Sequence, residues 1–168
     1  MIKKYDWDAF EQDMDRICHK MGDTEWDLII GIARGGLPLA VALSHRFNCK
    51  NFGVVVARKT NSEDAFDLDS TMKVIAEPAL PELKQVYNVL IVDDIVALGD
   101  GFSIVENLII NKYGDNINVQ FVSLFADFEQ IKQDKYSGII SRMFSPNPIN
   151  NKLVWVEFPW EREGVTHV

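Results

Sequence analysis

Val89-Leu90-Ile91-Val92-Asp93-Asp94 sets four apolar residues in unbroken succession and ends them with two acids. A continuous rather than alternating apolar run is the pattern of a strand covered on both faces, as in a parallel sheet packed between helices. In open α/β sheets, ligands bind at the carboxyl ends of the strands, where this run delivers its acid pair. Two adjacent carboxylates there suit a hydrated divalent cation or the hydroxyls of a sugar, both of which want charged oxygen acceptors. Acids also terminate strands and cap helices, so the pair alone does not separate a binding role from a structural one.

The same apolar pattern recurs on both sides. Trp26 to Gly31 and Phe52 to Ala57 precede it, and Asn118 to Ala126 follows it with mostly β-prone residues. Between these runs the spacing turns helical. Trp7, Phe10, Met14, Ile17, Cys18 and Met21 recur at steps of three and four before Gly22, Leu37 to Phe47 follows Gly35-Gly36 with Pro38 in its first turn, and Ile104 to Tyr113 makes a third helix. Strand and helix alternate, so the fold class is α/β, a doubly wound, mostly parallel sheet with helices on both faces.

The 168 residues make one domain, with no repeat, low-complexity tract or linker to divide it. Arg58 to Tyr87 separates the second and third strand runs, and its acid-rich first half lacks a period, so a flexible lid is expected over about 58–75. The tail carries Pro146, Pro148 and Pro159 with Trp155 and Trp160, so a small C-terminal hood over about 127–168 is expected to fold back on the sheet edge.

Composition narrows the class of partner. Seventeen basic against twenty-five acidic residues give a formal charge of −8, which draws the chain to neither nucleic acid nor an anionic membrane. No segment approaches the 18 or so apolar residues of a membrane span, and the two cysteines, Cys18 and Cys49, need no disulfide. The reading is a soluble, cytoplasmic protein whose partners are small molecules or proteins. His19, His45 and His167 are scattered without metal-ligand spacing, which argues against a zinc site.

Two glycine turns raise the acid pair above a strand terminator. Gly99-Asp100-Gly101-Phe102-Ser103 precedes a helix, and backbone N–H groups at a helix N-terminus cradle anions. Ala33-Arg34-Gly35-Gly36 follows another strand and opens another helix, with Arg34 as a bidentate partner for phosphate. Two anion sites beside one acid pair point to a doubly phosphorylated ligand.

At these residues the chain resembles the type I phosphoribosyltransferases. Ile32-Ala33-Arg34-Gly35-Gly36-Leu37 is similar to their pyrophosphate loop, and Val89 to Val96 to the first part of their signature for 5-phosphoribosyl 1-pyrophosphate (PRPP). Trp155-Val156-Glu157-Phe158-Pro159-Trp160-Glu161 resembles the hood of the xanthine-guanine and hypoxanthine (purine) members, whose tryptophan stacks on the base. The resemblance implies transfer of a phosphoribosyl group from PRPP to a nitrogenous base, of purine type, with release of pyrophosphate. It implies Mg²⁺ as cofactor, PRPP and a nucleobase as partners, and leaves a homodimer and a homotetramer open.

Roles follow residue by residue. Asp93 and Asp94 are expected to hold the ribose hydroxyls and the Mg²⁺, directly or through water. Ala33, Arg34, Gly35 and Gly36 would bind the pyrophosphate, and Gly99, Asp100, Gly101, Phe102 and Ser103 the 5′-phosphate, with Lys59 reaching the pyrophosphate. Such pyrophosphate loops carry a cis or strained peptide, here expected between Ala33 and Arg34. Trp155, Val156 and Asp127 would meet the base, Asp127 standing in the segment where purine members carry a lysine that recognises the 6-oxo group. Its carboxylate would repel a carbonyl and attract an amino group.

The PRPP loop departs from the family pattern. Read without a gap, Ala97 replaces the base-proximal aspartate; read with a gap, Asp100, Gly101 and Ser103 stand for aspartate, glycine and the last threonine. The gapped reading is preferred and makes Asp100, with Asp93 and Asp94, a catalytic residue that assists proton removal from the base. The gapless reading would suit a non-catalytic, PRPP-binding regulatory protein. A receiver-like module that binds Mg²⁺ through paired acids ranks last, because it leaves Arg34-Gly35-Gly36 unexplained.

Overall fold

The structure, a computed structural model, describes residues 2–59, 72–133, 143–149 and 154–161. Its main sheet has six strands, β4 (Met72–Val74), β3 (Phe52–Lys59), β2 (Leu28–Ala33), β5 (Asn88–Val92), β7 (Asn118–Val122) and β9 (Met143–Phe144), in that spatial order. All pair parallel except β4, which runs antiparallel to β3.

The continuous apolar runs are explained by the two layers of core. Successive residues of a strand point to opposite faces. Ile29, Leu90, Val92 and Val122 pack on one side with Phe10, Met14 and Ile17 of α1 (Trp7–Met21) and Leu39 and Leu43 of α2 (Leu37–Arg46). Ile30, Val89, Ile91 and Phe121 pack on the other with Phe102, Val105 and Ile109 of α3 (Asp100–Tyr113). The doubly wound α/β sheet read from the sequence is the fold.

A second, three-stranded parallel sheet sits at the carboxyl end of the first. Each of β5, β7 and β9 breaks for two residues and resumes as β6 (Ile95–Val96), β8 (Phe125–Ala126) and β10 (Asn147–Pro148), paired in the order β10, β8, β6. The expected single strand over Asn118 to Ala126 is therefore two, interrupted at Ser123-Leu124. A third pairing joins the ends of the chain, β1 (Ile2–Lys4) lying parallel to β11 (Trp155–Glu157).

Buried Asp13 of α1 ties these parts together. It accepts from the Tyr5 hydroxyl at 2.8 Å and from the Asn147 amide, and it pairs with Arg16 at 2.8 Å. Burial, the Asp13 hydrogen bond and the Asp13 charge push the Tyr5 hydroxyl pKa far up, so Tyr5 stays a donor.

Two sequence-based boundaries shift. The lid expected over 58–75 loses both ends to strands, since Arg58 and Lys59 close β3 and Met72–Val74 form β4; residues 60–71 lie outside the described residues. The hood expected over 127–168 is not all hood, because β9 completes the main sheet. Trp160 stacks on Phe158 at 4.7 Å and 10°, a packing role, while Trp155 is 48% exposed.

Candidate active site

The three strand breaks lie side by side, and the acid pair is one of them. The Asp93 N–H donates to Val122 O at 3.1 Å, the N–H groups of Leu124 and Phe125 donate to Asp94 O at 3.1 and 3.0 Å, and the Ser123 N–H donates to Phe144 O at 3.0 Å. The backbone of the pair is thus fixed by its neighbours in both sheets, which leaves the two carboxyls to be aimed. Asp93 Oδ1 accepts from the Asp94 N–H at 2.9 Å, and Asp94 Oδ1 from the Ile95 N–H at 2.7 Å.

Electrostatically the pair is uncompensated. Burial first, then the Asp94 charge, pushes the Asp93 carboxyl well above the usual carboxylate range. Burial also pushes Asp94 up, hydrogen bonds from Asp93 and the Ile95 N–H pull it back, and the Glu161 carboxylate adds to the rise. Both carboxyls are therefore harder to ionise than a free aspartate. Neither acid has a Lys, Arg or His in ion-pair contact among the described residues.

The turn between β2 and α2 closes against this pair. A Cβ on Gly35 would lie 1.9 Å from Asp94 Oδ2, and one on Gly36 would lie 2.6 Å from Val92 O and 2.8 Å from Asp93 Cα. Only glycine admits such contact, so the glycines bring the anion-loop candidate onto the acids. The Ala33–Arg34 peptide is cis, as expected for this loop. Arg34 is exposed and has no ion pair among the described residues.

On the other side of the pair stands α3. The stretch from Gly99 to Ser103 was expected as a turn; instead the helix starts at Asp100, a full turn before Ile104. Gly99 caps it at φ 88°, a left-handed conformation that suits glycine, with no side-chain cap. The first helical bond runs from the Ser103 N–H to Gly99 O at 3.0 Å, which leaves the N–H groups of Asp100, Gly101 and Phe102 without a helical acceptor. Gly101 is closely placed, its virtual Cβ lying 3.8 Å from Asp93 Oδ2.

Above these elements lies a cavity of about 300 Å³. Asp93, Asp94, Asp100, Asp127 and Glu161 line it, and no Lys, Arg or His among the described residues does. Trp155 and Val156 line it from β11, so the structure brings together the acid pair, the α3 N-terminus and the three residues expected at the base. A neighbouring groove of about 960 Å³ shares Asp94 and Glu161 with the cavity and is lined by Arg34 and Gly35. Lys59 ends β3 opposite Met72, itself a cavity residue, and the Lys59 side chain lies outside the described residues.

Among the polar and flexible cavity residues, Gln130 and Met72 had no reading in the sequence, and Glu161 entered only as the end of the hood motif. Glu161 closes the hood motif, and its Oε2 accepts from the Phe158 N–H at 3.1 Å. Gln130 belongs to α4 (Phe128–Gln133), and Met72 to β4. Asp127 proves to have a structural task as well: 7% exposed, it caps α4, Oδ1 accepting from the Gln130 N–H at 3.2 Å. The signal for that cap was legible, since Asp127-Phe128-Glu129-Gln130 has the spacing of a capping box.

Comparison with known proteins agrees with this fold. Xanthine-guanine phosphoribosyltransferase of Chromohalobacter salexigens is 24% identical over 163 residues, covering 96% of this chain and 85% of the relative. The solved structure of purine phosphoribosyltransferase from Pyrococcus horikoshii superposes with a TM-score of 0.71 at 20% identity, over 98% of this chain and 97% of that one. That of xanthine-guanine-hypoxanthine phosphoribosyltransferase from Helicobacter pylori gives 0.67 at 18% identity, over 96% and 94%. The model of the phosphoribosyl transferase domain matches residues 5–161, from Tyr5 beside α1 to Glu161 at the cavity, and the chain belongs to that family.

Proposed function

We propose that this protein transfers the phosphoribosyl group of PRPP to a purine-type base bearing an amino group. The C1–O bond to pyrophosphate breaks, a bond from a ring nitrogen of the base to C1 forms, and the proton on that nitrogen leaves. The observation that carries the reading is the convergence of three elements on one point: the β2–α2 glycine turn, the acid pair and the N-terminus of α3. A sugar with phosphate groups at both ends needs two anion cradles flanking hydroxyl acceptors, and this arrangement supplies them.

In this reading Arg34 and the N–H groups of the 33–36 turn receive the pyrophosphate. The free N–H groups of Asp100, Gly101 and Phe102 receive the 5′-phosphate, and Asp93 and Asp94 the ribose hydroxyls. Trp155 and Val156 flank the base, and the Asp127 oxygen not used in capping accepts from its amino group. Asp100 takes the proton from the incoming ring nitrogen.

The donor set also fits Mg²⁺. Two carboxyls with raised pKa and no cationic partner are relieved by a divalent cation. No group of three His, Cys, Asp or Glu side chains among the described residues is placed to hold a metal. Mg²⁺ is commonly held by one or two carboxylates, with water and substrate phosphates completing its shell. Asp93 and Asp94 would hold it, and it would neutralise charge on the departing pyrophosphate. The test is turnover: PRPP and Mg²⁺ with a panel of purine bases should release pyrophosphate together with a nucleotide, and absence of both with every base would overturn the reading.

A further inference from the structure

The cavity wall expected to meet the base belongs to a strand outside both parallel sheets. β11, whose Trp155 and Val156 line the cavity, pairs among the described residues with β1 alone. Ile2 lies opposite Trp155, Lys3 opposite Val156 and Lys4 opposite Glu157. All three β1 residues are exposed, and an isolated two-stranded ribbon is marginal in water. Something else must hold it against the fold.

Tyr5, the buried residue after β1, does so. Its N–H donates to Glu157 O at 3.0 Å, which carries the ladder one bond beyond the strand. Its ring meets Phe125 at 5.2 Å and Phe158 at 5.6 Å, edge to face in both contacts. Phe125 precedes Asp127 by two residues and Phe158 follows β11 directly, so two sides of the base region rest on one ring. The Tyr5 hydroxyl donates to buried Asp13 at 2.8 Å, and Lys3 Nζ stands 4.9 Å from the centre of the Phe125 ring. Neither Tyr5 nor any β1 residue lines the cavity.

Resting on the reading above, we infer that Tyr5 and β1 position the base: they hold β11 so that Trp155 and Val156 stay at the cavity, and they touch no ligand themselves. A site that is competent only a fraction of the time binds more weakly by that fraction. Loss of β1 therefore weakens whatever uses Trp155 and Val156. It spares the sugar phosphate, whose expected partners lie at the ends of β2 and β5 and the start of α3.

The test uses binding, so it does not depend on turnover. Adenosine 5′-monophosphate, guanosine 5′-monophosphate and ribose 5-phosphate are titrated by calorimetry into the wild type, into a protein lacking residues 2–4 and into Tyr5→Phe. The last keeps the ring and drops the bond to Asp13. In the wild type the tighter nucleotide should bind at least about 10-fold more tightly than ribose 5-phosphate, within the range for a base stacked on an aromatic side chain. Without residues 2–4 that ratio should fall to within about 3-fold while ribose 5-phosphate affinity stays unchanged. Tyr5→Phe should lower the ratio by about 2- to 10-fold, the size of one hydrogen bond, and serves alone should the shortened protein fold poorly. Amide exchange at 155–157 should quicken in both variants while β5 stays protected.

A purely structural role would weaken all three ligands together and leave the ratio unmoved, and that result overturns the inference. If ribose 5-phosphate and both nucleotides fail to bind the wild type, the phosphoribosyl site itself is wrong and the inference falls with it. If ribose 5-phosphate binds the wild type and neither nucleotide binds more tightly, Trp155 and Val156 meet no base and the inference falls there. If the wild type shows the full ratio and the variants keep it, only the role of Tyr5 and β1 fails.

Discussion

The Asp94 carboxylate occupies the space that a side chain on residue 35 would need: a methyl group there would lie 1.9 Å from Oδ2. The glycine turn and the acid pair, 59 positions apart in the chain, are therefore one packed unit. A cation or sugar drawn to Asp94 is at once beside the turn whose N–H groups would meet a pyrophosphate.

Gly35→Ala is expected to disrupt this unit, since the methyl must displace either the carboxylate or the turn. Overpacking costs about 1–3 kcal/mol, and at about 2–4 °C per kcal/mol for a chain of this size the Tm should fall by roughly 2–12 °C. Gly101→Ala is the control. Its nearest contact would be an ordinary 3.6 Å to Ile32 Cδ1, and alanine in a helix is favoured over glycine by up to about 1 kcal/mol. Thermal unfolding should show a lower Tm for the first variant and an unchanged or slightly higher one for the second.

Asp93→Asn should stabilise the unliganded protein, and increasingly so at higher pH. A carboxyl whose folded-state pKa lies above its unfolded value of 3.8 contributes a stability that is present while both states are protonated. That contribution is lost as pH rises from the unfolded pKa through the folded one. Asparagine keeps the Oδ1 acceptor for the Asp94 N–H and removes the repulsion. Each unit by which the pKa is raised corresponds to about 1.4 kcal/mol, so the Tm of the variant should exceed wild type by roughly 3–6 °C per unit above neutral pH. The two proteins should converge near pH 4. Unfolding curves across pH that run parallel would contradict the electrostatic account.

How much of this was legible follows from strand length. β2, β5 and β7 are five or six residues long and largely buried on both faces, and β3 adds eight residues with Gly53 and Val55 buried, so their apolar runs declared the parallel sheet. β6, β8 and β10 have two residues each, too few for any period, and their pairing is fixed by the breaks in the strands before them. β1 was hidden because Ile2-Lys3-Lys4 is exposed and strand-like only through its partner β11. At the site, the acid pair and both glycine stretches were readable, but Tyr5 became visible only once β1 was found paired with β11.

PRPP with Mg²⁺ should stabilise the protein. A ligand at about 100 times its dissociation constant adds roughly 2.7 kcal/mol, and the Tm should rise by roughly 5–10 °C. Asp94→Asn keeps the acceptor for the Ile95 N–H and should fold, yet lose most of that rise. A full ligand shift in Asp94→Asn would take Asp94 out of the site.

Asp100→Asn separates proton removal from phosphate binding. Asp100 stands in the first turn of α3 and lines the cavity. A carboxylate that accepts a proton in the transition state contributes about 10²–10⁴ in rate, so kcat should fall by that order while the KM for PRPP stays nearly constant. Equal activity in the variant would return the PRPP loop to the gapless reading, with Ala97 in the base-proximal place.

The central claim is tested most directly by mixing the protein with PRPP, Mg²⁺ and adenine, and measuring pyrophosphate and nucleotide together. The account predicts one pyrophosphate released for each adenosine 5′-monophosphate formed, with hypoxanthine a poorer substrate. A protein that gains stability from PRPP and Mg²⁺, yet forms no nucleotide from adenine, guanine, hypoxanthine or xanthine, would contradict it and be a PRPP-binding protein without transferase activity.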